Sequence, residues 1–366
     1  MSAESELQFL RRLQRLLDEG LFTSTYKFAL LQALADLSVE RDADPNGSLR
    51  LPIAAVAEKF IEYYWRQALP FRADVGAASA ATLLQNTDRQ ASILQLLADA
   101  RSGYDGMLAV ARLDADRFDA LRAQVARVIR QMPLWKLQTI GRQPDEFLYR
   151  REDYRQADDT IRLLPGVAGS LRNFHGLVTH LVRGAWVEQI RRIPANRPAL
   201  GEAATLADFL FGTDRAALDG YREILRDHQR GQCFYCGRKI AGRGDLDHFI
   251  AWSQYPVDLG HNFVFSHGEC NRAKRDYLAH PDHLQRWREH NLDDGEALSQ
   301  FFSDAKLPHD IYRSRQVAVW AYEQGEMSSA HVWLAGRQLE PLTRTWRELI
   351  YDPVTALAAE GSPSCD

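Results

Sequence analysis

The chain has 366 residues, of which 45% are apolar and 26% charged, and a formal net charge of −4. That is the make-up of an ordinary soluble globular protein with room for two domains, and it excludes a chain too polar to build a core. A pI near 6.3 does not advertise a nucleic-acid binder, but a phosphate-binding face can be local on an acidic protein, so composition leaves nucleic acid open.

The opening Met1-Ser-Ala-Glu-Ser-Glu lacks a basic stretch leading into an apolar one. No run approaches the roughly 18 consecutive apolar residues of a membrane span, so a cytoplasmic protein with no membrane partner is expected. Residues 4–19 place Leu7, Leu10, Leu13, Leu16 and Leu17 at helical spacing, with Gly20 to end the helix. A second, mostly apolar helix is expected over 25–40, and Pro52 opens a third with Ile53, Val56, Phe60, Ile61 and Tyr64 on one side. Further helices are expected near 89–101, 116–131 and 170–192. Residues 132–149, richer in Pro and aromatics, suit one or two strands or an irregular connection. In the helix 170–192, His175 and Trp186 occupy apolar positions that suit core packing.

Asn196-Arg-Pro-Ala-Leu-Gly201 reads as a linker, followed by a short helix over 205–211 and another over 214–229. Residues 282–290 and 311–322 look helical, and 357–366, with Gly361, Pro363 and two serines, look like a disordered tail. The expected organisation is a helical N-terminal domain (1–200), a small mixed module (201–290), a C-terminal helical extension (291–356) and that tail.

Three of the four cysteines fall in one short window and the fourth, Cys365, is stranded in the tail. In a reducing compartment such clustering favours metal over disulfide. Cys233-x-x-Cys236 and His267-x-x-Cys270 together supply three thiolates and an imidazole, a closed tetrahedral set suited to structural zinc. His261 and Glu269 lie close enough in sequence to be alternatives.

Between the two pairs stands Asp247-His248, with apolar flanks that suggest a short strand. Adjacent strand residues point to opposite faces, so one can ligate a metal while the other reaches a water if the strand ends at a bend. Phosphodiester hydrolysis needs a base for the water and a cation beside the phosphate; an imidazole suits the first and a carboxylate the second. Asn262 precedes a second apolar stretch, where its amide would hold the His248 ring by accepting the second N–H. Asn271 opens a helix directly after Cys270 and offers an oxygen to a hard cation. Lys274 and Arg275, with the helix N-terminus, favour a substrate phosphate.

From about Arg222 to Leu278 these residues resemble the HNH (ββα-metal) endonuclease family, in its zinc-braced subgroup. The resemblance implies a mainly α protein with a small ββα-metal HNH module inserted near residues 222–280. It implies His248 as general base, Asp247 and Asn271 as ligands of one catalytic Mg²⁺ (or Mn²⁺), Asn262 as the residue orienting the histidine, and a structural Zn²⁺ on Cys233, Cys236, His267 and Cys270. His267 departs from the commoner cysteine at that position. The implied activity is hydrolysis of DNA, by family analogy in restriction or anti-phage defence. The helical domain would then answer to a regulatory protein or small-molecule activator. The alternatives are a zinc-braced nucleic-acid-binding module without catalysis and an RNA-cutting HNH nuclease.

Overall fold

The computed structural model describes residues 3–73, 79–87, 89–104, 106–141, 143–155, 159–201, 205–212 and 218–351. It is mainly helical, with four two-stranded sheets among the described residues. The chain divides into two compact units, Met1–Thr213 and Asp214–Asp366. No helix among the described residues is long and apolar enough to cross a membrane.

The first unit is built around the helix Tyr26–Glu40, all fifteen residues of which are buried. Its sequence has no polar face because it has no exposed face. It packs against the helices Ile53–Trp65, Val167–Asn173 and His175–Arg192, while Ala115–Gln131 packs on Ile53–Trp65; Phe60, Val125, Ile129, Leu171, Val182 and Trp186 join one core. Several polar groups buried there are paired, as burial favours. Thr25 Oγ1 lies 2.7 Å from Tyr64 Oη and donates to Gln85 Oε1 at 2.8 Å, an oxygen that also accepts from Trp186 Nε1 at 3.1 Å. Asp36 accepts from Tyr63 Oη at 2.6 Å and lies 2.7 Å from His175 Nε2, so His175 packs in the core as a bonded histidine.

Two expectations change. Leu49–Pro52 pairs antiparallel with Thr160–Leu163, a sheet that the sequence pattern did not reveal; Pro52, lacking an N–H, sits at its end and the helix begins at Ile53. The expected linker at 196–201 is instead two short helical turns, Pro194–Asn196 and Arg197–Leu200. Asn196 is buried, accepts from Leu84 N at 2.7 Å and donates to Leu84 O at 3.0 Å and Ile190 O at 3.1 Å. One amide there satisfies both backbone groups of a residue 112 positions away.

In the second unit the helix Leu218–His228 packs Tyr221 and Leu225 against Phe263 and Phe265 of an antiparallel hairpin. The hairpin pairs Asp245–His248 with Phe263–Ser266 in the register Asp245↔Ser266, Leu246↔Phe265, Asp247↔Val264, His248↔Phe263. Leu246 and His248 therefore share the face of the two phenylalanines, whereas Asp245 and Asp247 face the other way. The helix Gly268–Lys274 follows at once and lies on that second face.

The stretch expected as a separate C-terminal helical extension belongs to this unit and is not all helix. His331–Ala335 and Gln338–Pro341 form a hairpin turned at Gly336, whose φ of 53° suits glycine. The helices Pro281–Trp287, Gly295–Asp304, Ile311–Met327 and Trp346–Ile350, with a π-helical turn at Arg288–Asp293, complete the described part of the unit. Trp287 Nε1 and Asn291 Nδ2 each donate to His261 O at 2.9 Å, and Gly260 N donates to Pro308 O at 3.0 Å. The tail expected over 357–366, with Cys365, lies outside the described residues.

Gly260 runs so close to the Phe302 ring that a Cβ would stand 2.5 Å from it. Gly260→Ala should cost about 1–3 kcal/mol, the usual range for overpacking. A chemical denaturation midpoint unchanged from wild type would contradict this placement.

Candidate functional site

Cys233, Cys236, His267 and Cys270 each offer one ligand atom, and these atoms all lie within 4.8 Å of one another. The three thiols are free. Tetrahedral zinc with Zn–S bonds of about 2.3 Å separates sulfurs by about 3.8 Å, so the cluster is the right size for such a metal. The turn that makes the first pair is closed by Gly237 N→Cys233 O and Cys233 N→Arg238 O, both 2.9 Å, with Gly237 at φ 71°. His267 Nδ1 stands 3.3 Å from Cys236 Sγ, and its Nε2 lies 3.3 Å from Lys239 O. A ring that presents Nδ1 to a metal and gives Nε2–H to a carbonyl is the usual second support of a ligating histidine.

Electrostatics fit the same reading. Burial pushes the Cys236 thiol up, but hydrogen bonds from the backbone and side chain of Arg238, from Cys233 and from His267 outweigh it and hold it at about 6. Cys270 is pushed up to about 12, by burial first and then by the neighbouring Cys233 and Cys236. Three thiols this close cannot all ionise without a cation between them.

Asp247 is buried at the hairpin's far end. Its Oδ2 accepts from Tyr235 Oη at 2.5 Å and lies 3.3 Å from Lys274 Nζ. Burial first, then the Asp247 carboxylate, pushes the Tyr235 hydroxyl well above 10, so it stays a donor. Both contacts fall on Oδ2. Asn271 Nδ2 lies 3.5 Å from Asp245 Oδ2, so the carboxylate it meets is that of Asp245. The expected pair Asp247 and Asn271 shares a face without touching.

Lys274 lies inside the unit, away from the surface. It is fully buried, with its ammonium between Asp247 and the carbonyl of His248, to which it donates at 3.0 Å. It pins the strand end and is not the surface cation that its place after Cys270 suggested. Arg275 is exposed, but at φ 52° it ends the helix instead of opening it.

His248 is half-buried, its ring 4.5 Å from Phe263 and 5.5 Å from Trp252 between centroids. Its Nε2 lies 2.7 Å from Asp258 Oδ1. Asn262, expected on this ring, is elsewhere: its Oδ1 accepts from Ile250 N at 2.8 Å and its Nδ2 donates to Ile250 O at 3.0 Å. The alternatives His261 and Glu269 are not in the four-ligand cluster. Sequence reasoning missed Asp258, Tyr235 and Asp245. Only Asp245 carried a usable signal, since a residue two positions before Asp247 on a strand must share its face.

The chain belongs to the family defined by a domain of unknown function (DUF8808), whose model matches residues 6–209. That match lies within the first unit, so every candidate site residue falls outside it. No curated protein and no solved structure matches the chain.

Elemental analysis of the purified chain should find about one zinc per molecule, lost in Cys236→Ser and Cys270→Ser and kept in His267→Cys, since Cys₄ and Cys₃His sets both close a zinc site. Metal-free wild type with an unchanged melting curve would count against the site.

His261, beside Asn262, is fully buried, with Nε2 3.1 Å from Gly295 O and Nδ1 without a partner. Burial chiefly, then His309, lowers its pKa to about 4, against the Gly295 bond and Asp310. The unfolded state thus takes this proton first, near 6.5. Stability from His261 is complete above that pH and falls as pH drops towards 4, by on the order of 3 kcal/mol. His261→Gln should flatten the fall of unfolding midpoint between pH 6.5 and 4.5; parallel curves would refute the assignment.

Proposed function

We propose that the second unit is a metal-dependent endonuclease of the HNH (ββα-metal) kind, hydrolysing DNA phosphodiester bonds. The observation that carries this reading is the hairpin end. Asp247 and His248 are consecutive on a strand, so a carboxylate faces the Asn271 helix while the imidazole faces away, beyond the helix–strand packing. The four-ligand cluster closes the base of the same hairpin and helix.

In this reading Asp247, through Oδ1, and Asn271 would hold the divalent cation, with Asp245 beside Asn271. Oxygen donors of this kind fit Mg²⁺ or Mn²⁺. When bound, the cation supplies charge stabilisation at the phosphate and leaving oxygen. His248 takes the proton from the attacking water. Tyr235 and Lys274 hold Asp247 by its other oxygen, which fixes the direction of the first. Arg238, Lys239, Arg243, Arg272 and Arg275 are exposed in the same unit and suit flanking phosphates. The DUF8808 unit would target or regulate cleavage through a partner protein or small molecule, in a cytoplasmic restriction or anti-phage role by family analogy.

One observation favours a second reading. The buried pairing of Asp247 with Lys274 already neutralises the carboxylate, as suits a zinc-braced nucleic-acid-binding module without catalysis.

The deciding experiment is cleavage of plasmid DNA and of RNA by wild type and His248→Ala, with Mg²⁺, Mn²⁺ or EDTA. The nuclease reading expects metal-dependent cleavage reduced about 10²- to 10⁴-fold in the variant, the range for removal of a general base. Binding of nucleic acid with no cleavage would favour the second reading, and cleavage untouched by His248→Ala would dismiss His248 as base.

A further inference from the structure

We infer that Asp258 is the positioning residue for His248, and that Asn262 acts on the histidine only by closing the loop that carries Asp258. The inference rests on the nuclease reading of His248. An ionised carboxylate accepts and cannot donate, so Asp258 Oδ1 at 2.7 Å from Nε2 places the ring proton on Nε2. Nδ1 is then the bare nitrogen, with no hydrogen-bond partner among the described residues and without being sealed from solvent. Both side chains are largely shielded, 20% and 14% exposed, so the bond is poorly screened by water. Phe263 and Trp252 flank the ring.

The loop 249–262 is fastened at its mouth. Phe249 N donates to Asn262 O at 2.7 Å, and the Asn262 amide takes both backbone groups of Ile250. Asn262 N also donates to Leu259 O at 2.9 Å, and Gly260 N to Pro308 O at 3.0 Å, which anchors the chain just past Asp258. Asp258 therefore projects from a stapled turn onto the ring, ten residues from His248 in sequence.

The test uses the full-length chain labelled with ¹⁵N-histidine and long-range ¹H–¹⁵N spectra, which report the tautomer without any cleavage assay. His248 is assigned by the signals lost in His248→Gln. Wild type should show neutral His248 with its proton on Nε2. Asp258→Asn should show both tautomers, because an amide can donate or accept. In the same variant kcat for DNA cleavage should fall about 10- to 1,000-fold with KM little changed, as for loss of an oriented base. Asn262→Ala should broaden or split the His248 signals in the same direction.

Wild-type His248 protonated on Nδ1 would overturn the assignment. So would Asp258→Asn that mixes the tautomers and still cleaves within twofold of wild type. A wild type that cleaves neither DNA nor RNA would sink the nuclease reading by itself, and the spectra would then decide alone whether Asp258 holds the ring.

Discussion

The alternation of a β-strand is the constraint on which the candidate site depends. In Asp245–His248 it sends two carboxylates to one face and an imidazole to the other within a single turn of pleat. Slipping the register by one residue would bury the carboxylates among Phe263, Phe265 and Tyr221 and turn His248 towards Lys274. The apolar partners opposite Leu246 and His248 make that slip costly, since Phe263 and Phe265 are fully buried. The same core that stabilises the hairpin thus decides which functional group faces which way.

Tyr235 and Lys274 extend this order from backbone to side chain. Tyr235 belongs to the turn between Cys233 and Cys236, so the hydroxyl that holds Asp247 is set by the metal-ligand turn. Arg286 grips the same turn from behind, donating to Tyr235 O at 3.0 Å, with its guanidinium 5.9 Å from the Phe234 ring. A buried ion pair such as Lys274–Asp247 adds little net stability, because removing two charges from water offsets much of their attraction. Its value is geometric: the helix Gly268–Lys274 and the strand end are held at one spacing.

How much of this was legible varies with the distance over which the information is carried. The four metal ligands could be read because each pair is local, two residues apart within one turn. The opposite faces of Asp247 and His248 followed from the strand period. Asn262 and Asn271 stood out by type and order, but their partners did not, because Ile250 and Asp245 are chosen by loop closure and helix placement. Asp258 had no signal at all, since no periodicity links it to His248 across an irregular loop. Lys274 read as a surface cation because a basic residue near a helix start usually is one; its burial depends on Asp247 and the His248 carbonyl together. Asn196 looked like linker composition and proved to be a staple for the same reason.

The helix Tyr26–Glu40 has a consequence for the making of the protein. Hidden on every side, it is secured by groups that arrive much later: His175 on Asp36, Arg172 donating to the Val39 carbonyl at 2.9 Å, and the helix that carries Trp186. At about 5–20 residues synthesised per second, roughly 7–30 s separate the emergence of Glu40 from that of Trp186. For that interval a mostly apolar segment, with Asp36 among its few charged groups, waits without its partners. The nascent chain is therefore most exposed to aggregation and to chaperone capture before the second unit has begun to appear.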